Sequence, residues 1–325
     1  MASWQARVAR YLVRKRVRPA LGDMRDLMRV RKVMATALPA LKGVTYTRGA
    51  LGGVPGEWVE REGVADIAAS PRPTLMYVHG GGFVGCSPRT HRAITSAFAL
   101  QGFRVFAPDY RLAPEHPFPY GLSDAIAALN HVTRNAQLFG LDVKRLGVAG
   151  DGSGATLAAV LCRIARDAGS EAVSFQLLLC PILDARMQTA SRQELGEGLL
   201  LDLDTCKRDL ELYVPQGCDL ADPRLSPLRA EEFSGLAPAF IHTAQFDPFS
   251  EEGEAYAQRL GGFGVPVHGR CHPGMIHGFL TMSRAIPYAL EALRIIGTEI
   301  RYAVRLPPLP ERRMVRRMRP ELVRI

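Results

Sequence analysis

The sequence predicts an α/β protein: a mostly parallel central sheet flanked by helices, with a helical cap. Two observations carry this. Short apolar runs, LMYV at 75–78, LGVAG at 146–150, FQLLL at 175–179 and AFIHTAQF at 239–246, lack the alternation of a half-solvated strand. They therefore read as strands buried on both faces. Stretches of ten to fifteen residues with helical periodicity separate them, the spacing of crossover connections in a parallel sheet.

In chain order, residues 3–18 place Trp4, Val8, Tyr11 and Leu12 on one face of an arginine-rich helix. A second helix is expected over Asp23 to Leu38, with Asp23 as N-cap and Pro39 as its stop. Residues 43–62 read as two strands joined by a glycine-rich turn. Helices are expected near Pro88 to Leu100 and Leu122 to Asn135, then after the glycine-rich GDGSG turn, and at Glu251 to Leu260. A strand is expected over Val265 to Arg270, with a last helix starting near His277. Residues 184–230 interrupt the alternation with a helical, charge-rich segment, expected to form a cap with the N-terminal helices. The expected division is thus cap helices 1–42, a core of 43–183 and 231–304, a cap insertion 184–230, and a basic proline-punctuated tail 305–325.

Composition excludes several classes. The 325 residues are 47% hydrophobic and 22% charged, as in an ordinary soluble enzyme. The net charge of +9 is terminal: residues 1–50 hold twelve Lys/Arg against two Asp, and 301–325 hold eight Arg against two Glu. Residues 51–300 carry 21 basic against 28 acidic residues, a net of −7. A mildly acidic body argues against a nucleic-acid-binding face. The basic amphipathic N-terminus also fits contact with a membrane surface, the lesser reading beside packing on its own fold. Six cysteines without a C-x-x-C pair suggest reduced thiols and a cytoplasmic protein. No apolar run reaches the roughly 20 residues of a spanning helix, and no apolar signal core follows the N-terminal arginines. His91, His131, His242, His268 and His272 have no metal-ligand spacing, so neither metal nor cofactor is expected. LGGVPGEW lacks the Lys-Ser/Thr ending of a phosphate loop and reads as a hairpin turn.

The chemistry concentrates in GDGSG at 150–154, between a buried strand and a helix. A nucleophile elbow of the G-x-S-x-G type takes this setting, with its central residue strained at the top of the sheet. The flanking glycines are Gly150 and Gly154, so the nucleophile position is Gly152, which has no attacking atom. Centring the pattern on Ser153 would put Asp151 and Ala155 where glycines are needed. Acyl transfer also needs a base, a carboxylate to orient it, and donors for an oxyanion. His277 is the candidate base and Asp247 the candidate orienter, in the order expected of such a sheet.

Together with HGGGF at 79–83, PDYRLAPEHPFP at 108–119, FDP at 246–248 and GMIHGF at 274–279, the chain resembles the hormone-sensitive lipase family of α/β-hydrolases, bacterial carboxylesterases of the GDSAG type. The match runs over about residues 43–300 and departs at Gly152, where the family has serine, and at Ser153, where it has alanine. The resemblance implies an α/β-hydrolase fold and oxyanion donors at the N–H groups of Gly81, Gly82 and Ser153. His79, Gly80 and Asp151 would support the loops, and Tyr110, Arg111, Glu115 and His116 would act as scaffold. The side chain of Ser153 is expected to be nearly dispensable. The implied function is carboxylic ester hydrolysis of small acyl esters or lactones, in a form, substituted or natural, whose serine is absent. The alternative is a non-catalytic protein that binds a small ligand in the hydrolase pocket. Neither nucleic acid nor cofactor is an expected partner, and a homodimer is compatible with the sequence.

Overall fold

The computed structural model describes residues 11, 27–35, 41–63, 72–195, 201 and 203–306. A helix α1, Leu27–Met34, precedes the hairpin of β1, Val44–Leu51, and β2, Val54–Arg61. Then follow β3 (Arg72–Val78), α2 (Arg92–Leu100), β4 (Arg104–Pro108), α3 (Tyr120–Arg134), β5 (Leu141–Asp151), α4 (Ser153–Asp167) and β6 (Val173–Leu179). Two helices, α5 (Ala190–Leu195) and α6 (Leu203–Tyr213), come before β7 (Ala239–Phe246). The described chain closes with α7 (Ser250–Gly262), β8 (Val267–Ile276) and α8 (Tyr288–Ala303).

The eight strands form one sheet in the order β1-β2-β4-β3-β5-β6-β7-β8. The β1/β2 and β2/β4 pairs are antiparallel and all others parallel. Alternation along the central strands divides their side chains between two cores. Met76 and Val78 face a cluster with Leu122 of α3, Leu157 of α4 and Leu260 of α7. Leu75 and Tyr77 face the opposite cluster, with Phe98 of α2 and Leu293 and Ile296 of α8. Both faces are therefore covered, which is why the strands read as unbroken apolar runs.

The chain leaves β3 toward β4 on one side and continues from β5 to β6 on the other, so the strand order reverses between β3 and β5. Such a switch point opens a crevice at the carboxyl ends of the strands. Val78 pairs with Gly150 there, which brings the loop after β3 beside the turn after β5.

The hairpin, the buried strands and the helix after GDGSG form as the sequence predicts. Two expectations need correction. The final strand extends past Arg270 to Ile276, and the last helix begins at Tyr288, not near His277. Gly278 has a left-handed φ of 69°, which stops helix formation and leaves a short 3-10 turn at Phe279–Thr281. The expected helix over 3–18 lies outside the described residues apart from Tyr11, as does the tail from 307 onward. Within Asp23 to Leu38 the described helix is α1. No helix among the described residues is long and apolar enough to cross a membrane.

Candidate active site

Gly152 follows β5 with φ 51° and ψ −120° and leads directly into α4. Side chains rarely adopt that conformation. The turn is also closely packed: a Cβ at Gly154 would strike the carbonyl oxygens of Val78 and His79. The glycine spacing thus follows from α4 starting against the end of β3.

His277 sits in the turn after β8, and Asp247 directly follows β7, fully buried. His277 Nδ1 lies 2.8 Å from Asp247 Oδ2, and the other carboxylate oxygen accepts the Phe249 N–H at 2.8 Å. A Cβ built on Gly152 would lie 3.2 Å from His277 Nε2. Residues 152, 247 and 277 thus converge from three strand ends. Burial opposes protonation of His277, but the adjacent Asp247 carboxylate outweighs it and raises the imidazole pKa.

The loop after β3 carries the glycines. Gly81 and Gly82 have φ of 119° and 63°, and the Gly81 carbonyl accepts the N–H groups of Val84 and Gly85. Among the described residues, the N–H groups of Gly81, Gly82 and Ser153 donate to no protein acceptor. Three donors at one crevice suit an anionic oxygen. Ser153 also uses its side chain: Oγ accepts the Phe83 N–H at 3.3 Å, tying the elbow to this loop.

Asp151 is held behind the elbow. Its Oδ1 accepts the Tyr77 hydroxyl at 2.6 Å and the Gly80 N–H at 3.0 Å, and His91 Nε2 lies 3.2 Å from Oδ2. Burial would raise this carboxyl, but the His91 charge and the three hydrogen bonds prevail and hold it at about 2. The same pairing overcomes burial and raises His91. Sequence reasoning gave His91 no chemistry and did not mark Tyr77; a histidine one turn into a connection carries no signal of its partner. His79 is fully buried, its pKa lowered to about 3 by burial and by His91. Its carbonyl accepts the Tyr110 hydroxyl at 2.8 Å, and the two rings stack 4.4 Å apart. The other scaffold candidates lie further out: Arg111 binds Asp124, Glu115 accepts both terminal nitrogens of Arg31 from α1, and the His116 ring meets Tyr120 edge-on.

The segment between β6 and β7 reaches the site from above. Tyr213, the last residue of α6, stacks on Phe83 with centroids 3.9 Å apart and planes 5° from parallel. Asp209 of α6 stands over Gly82, where any Cβ would collide with its Oδ2, and burial raises its carboxyl to about 6. From α5, Arg192 is buried against Glu252, whose other oxygen accepts the N–H groups of Leu183 and Asp184. Neither Asp209 nor Arg192 was marked in the sequence, because both lie outside any motif.

Among the described residues one trio of metal-type donors occurs: atoms of Cys180, Asp247 and His277 lie within 4.8 Å of one another. Burial and the Asp247 charge push the Cys180 thiol well up, so it is not a ready thiolate. The Asp247 carboxylate is engaged by His277 and Phe249.

The profile of the α/β-hydrolase fold matches residues 75–281. The chain is similar to a carboxylesterase, NlhH, of Mycobacterium tuberculosis, 39% identical over 225 residues that span 68% of this chain and 70% of the relative. An ethyl acetate hydrolase of Pseudomonas putida is 36% identical over 71% of this chain and 73% of its own. Among solved structures, an α/β-hydrolase from the metagenome of Lake Arreo, Spain, has TM-score 0.80 and 36% identity over 92% of this chain and 98% of its own. A hormone-sensitive lipase from a metagenome library gives TM-score 0.81 at 28% identity with the same coverage.

Proposed function

The chain belongs to the α/β-hydrolase family, in its hormone-sensitive lipase branch, and from that premise we propose a carboxylic ester hydrolase site that lacks its serine nucleophile. The substrate class is small acyl esters or lactones. The observation that carries this is the orientation of His277. Its Nδ1 is held by Asp247 at 2.8 Å while its Nε2 lies 3.2 Å from the point where a side chain at residue 152 would begin. A base held this way serves a nucleophile at that position.

In this reading, His277 is the general base and Asp247 fixes its tautomer and stabilises its protonated form. The N–H groups of Gly81, Gly82 and Ser153 receive the tetrahedral oxyanion. His79, Gly80 and Asp151 keep the donor loop in place. Residues 184–230 form a cap with the N-terminal helices, a reading supported by the Phe83–Tyr213 stack and by Arg31 of α1, which donates to the carbonyls of Val84 and Ala113. The test is Gly152→Ser, which should raise hydrolysis of a short-chain aryl ester by several orders of magnitude.

One observation favours a second reading, a protein that binds a small ligand in the same crevice without turning it over: residue 152 has no oxygen. A Gly152→Ser variant that folds normally and stays as inactive as Gly152→Ala would favour it.

A further inference from the structure

Glycine at position 152 leaves open space beside His277. A Cβ built there meets His277 Nε2 at 3.2 Å and Cε1 at 3.7 Å, and among the described residues no further atom beyond its chain neighbours within 4 Å. Beside it is a small cavity of about 10 Å³, bounded by Asp151, Gly152 and His277 and by the apolar Ile94, Leu179 and Leu280. A space of that order is about the size of one water. With His277 Nδ1 bound to Asp247, the lone pair of the neutral ring is on Nε2, beside the position that a side chain at residue 152 would take.

We infer that the chain retains a slow hydrolytic activity of its own, in which His277 activates a water beside Gly152 to attack the ester directly, without an acyl-enzyme. This rests on the ester-hydrolase reading of the site. The water oxygen forms the bond to the acyl carbon as its proton passes to His277 Nε2. The carbonyl oxygen becomes the oxyanion at the Gly81, Gly82 and Ser153 N–H groups. On collapse, the bond from the acyl carbon to the leaving oxygen breaks, and that oxygen takes the proton from Nε2. The products are a carboxylic acid and an alcohol or phenol, and His277 is again neutral.

A serine elbow delivers its oxygen on a covalent tether; here a mobile water must be captured for each turnover. Catalysis therefore reduces to a base and an oxyanion site. Positioned general bases contribute about 10²–10⁴-fold. Esters with good leaving groups, such as aryl acetates, are the substrates this arrangement favours, because expulsion then needs little proton donation. A methyl group at residue 152 would begin 3.2 Å from Nε2 and compete with the water for its place.

The experiment measures aryl acetate hydrolysis by the full chain pretreated with a serine-directed phosphonate, beside His277→Ala, Gly152→Ala and Gly152→Ser prepared identically and checked for folding by thermal melting. Intact-mass measurement during turnover reports any acetyl adduct. The expected result is phosphonate-resistant turnover that falls about 10²-fold in His277→Ala, falls also in Gly152→Ala, and shows no acetyl adduct on the native chain. Equal turnover in the native chain and His277→Ala, or an acetylated native chain, overturns the inference. Should Gly152→Ser hydrolyse the ester through an acetyl-enzyme while the native chain matches His277→Ala, the water mechanism falls and the esterase reading stands. If Gly152→Ser folds and is inactive as well, the esterase reading itself fails.

Discussion

His277 and Asp247 lie on adjacent strand ends, thirty residues apart in the chain, with Nδ1 and Oδ2 at 2.8 Å. The raised imidazole pKa that results sets the working pH range. In the Gly152→Ser chain the base must be neutral, so hydrolysis should increase with pH through a midpoint above the usual histidine value of about 6.5. Asp247→Asn in that background should lower kcat by on the order of 10⁴ and move the midpoint down. A pH–rate profile of the two variants checks both. For stability the sign is opposite. The fold favours protonated His277, so its contribution is full below the unfolded pKa and is lost as pH rises through the folded one.

Restoring the serine should not stabilise the protein. Residue 152 has φ 51° and ψ −120°, where a side chain carries strain on the order of 1–3 kcal/mol. The 3.2 Å approach of a Cβ to His277 Nε2 adds a tight contact. Gly152→Ser and Gly152→Ala should melt at or slightly below the native chain, and calorimetry of the three proteins checks this.

The Asp151–His91 pair, with His91 buried and Asp151 partly so, should make the elbow acid-sensitive. The Asp151 carboxyl is held at about 2, below its ordinary 3.8, so its contribution is present above the unfolded value and is lost as pH falls toward the folded one. A shift of that size corresponds to roughly 2 kcal/mol for the carboxylate with its partners, of which on the order of 1 kcal/mol is lost by pH 3. Asp151→Asn should destabilise the protein at pH 7, and its deficit should shrink by about that amount at pH 3. Urea unfolding at the two pH values measures the difference.

Tyr213 separates packing from polarity at the donor loop. Its ring stacks on Phe83, yet its buried hydroxyl has no hydrogen-bond partner among the described residues. Tyr213→Phe should be neutral or more stable by about 1 kcal/mol, since it removes an unsatisfied polar group. Tyr213→Ala should cost about 3 kcal/mol as a buried aromatic truncation. In the Gly152→Ser background it should also lower kcat, because Phe83 N–H is bonded to Ser153 beside the proposed oxyanion donors. Chemical denaturation with steady-state kinetics reads both effects.

The sequence by itself determined the layered α/β arrangement and the candidate residues at positions 79–82, 151–153, 247 and 277. Continuous apolar runs require two covered faces and glycines mark where backbone must approach backbone, while the resemblance to a family's motifs singled out the donor loop, Asp247 and His277. The motif also exposed Gly152, because an elbow specifies its central position by its flanking glycines. Only the tertiary structure decided which distant groups meet. His91 and Tyr77 reach Asp151, the Ser153 hydroxyl joins the Phe83 N–H, and Asp209 and Tyr213 come down on the donor loop. The last strand likewise runs on to Ile276, and the last helix waits until Tyr288, after Pro287. Periodicity encodes how a segment faces its own core, whereas contacts between loop ends depend on strand order and register, which no single segment contains.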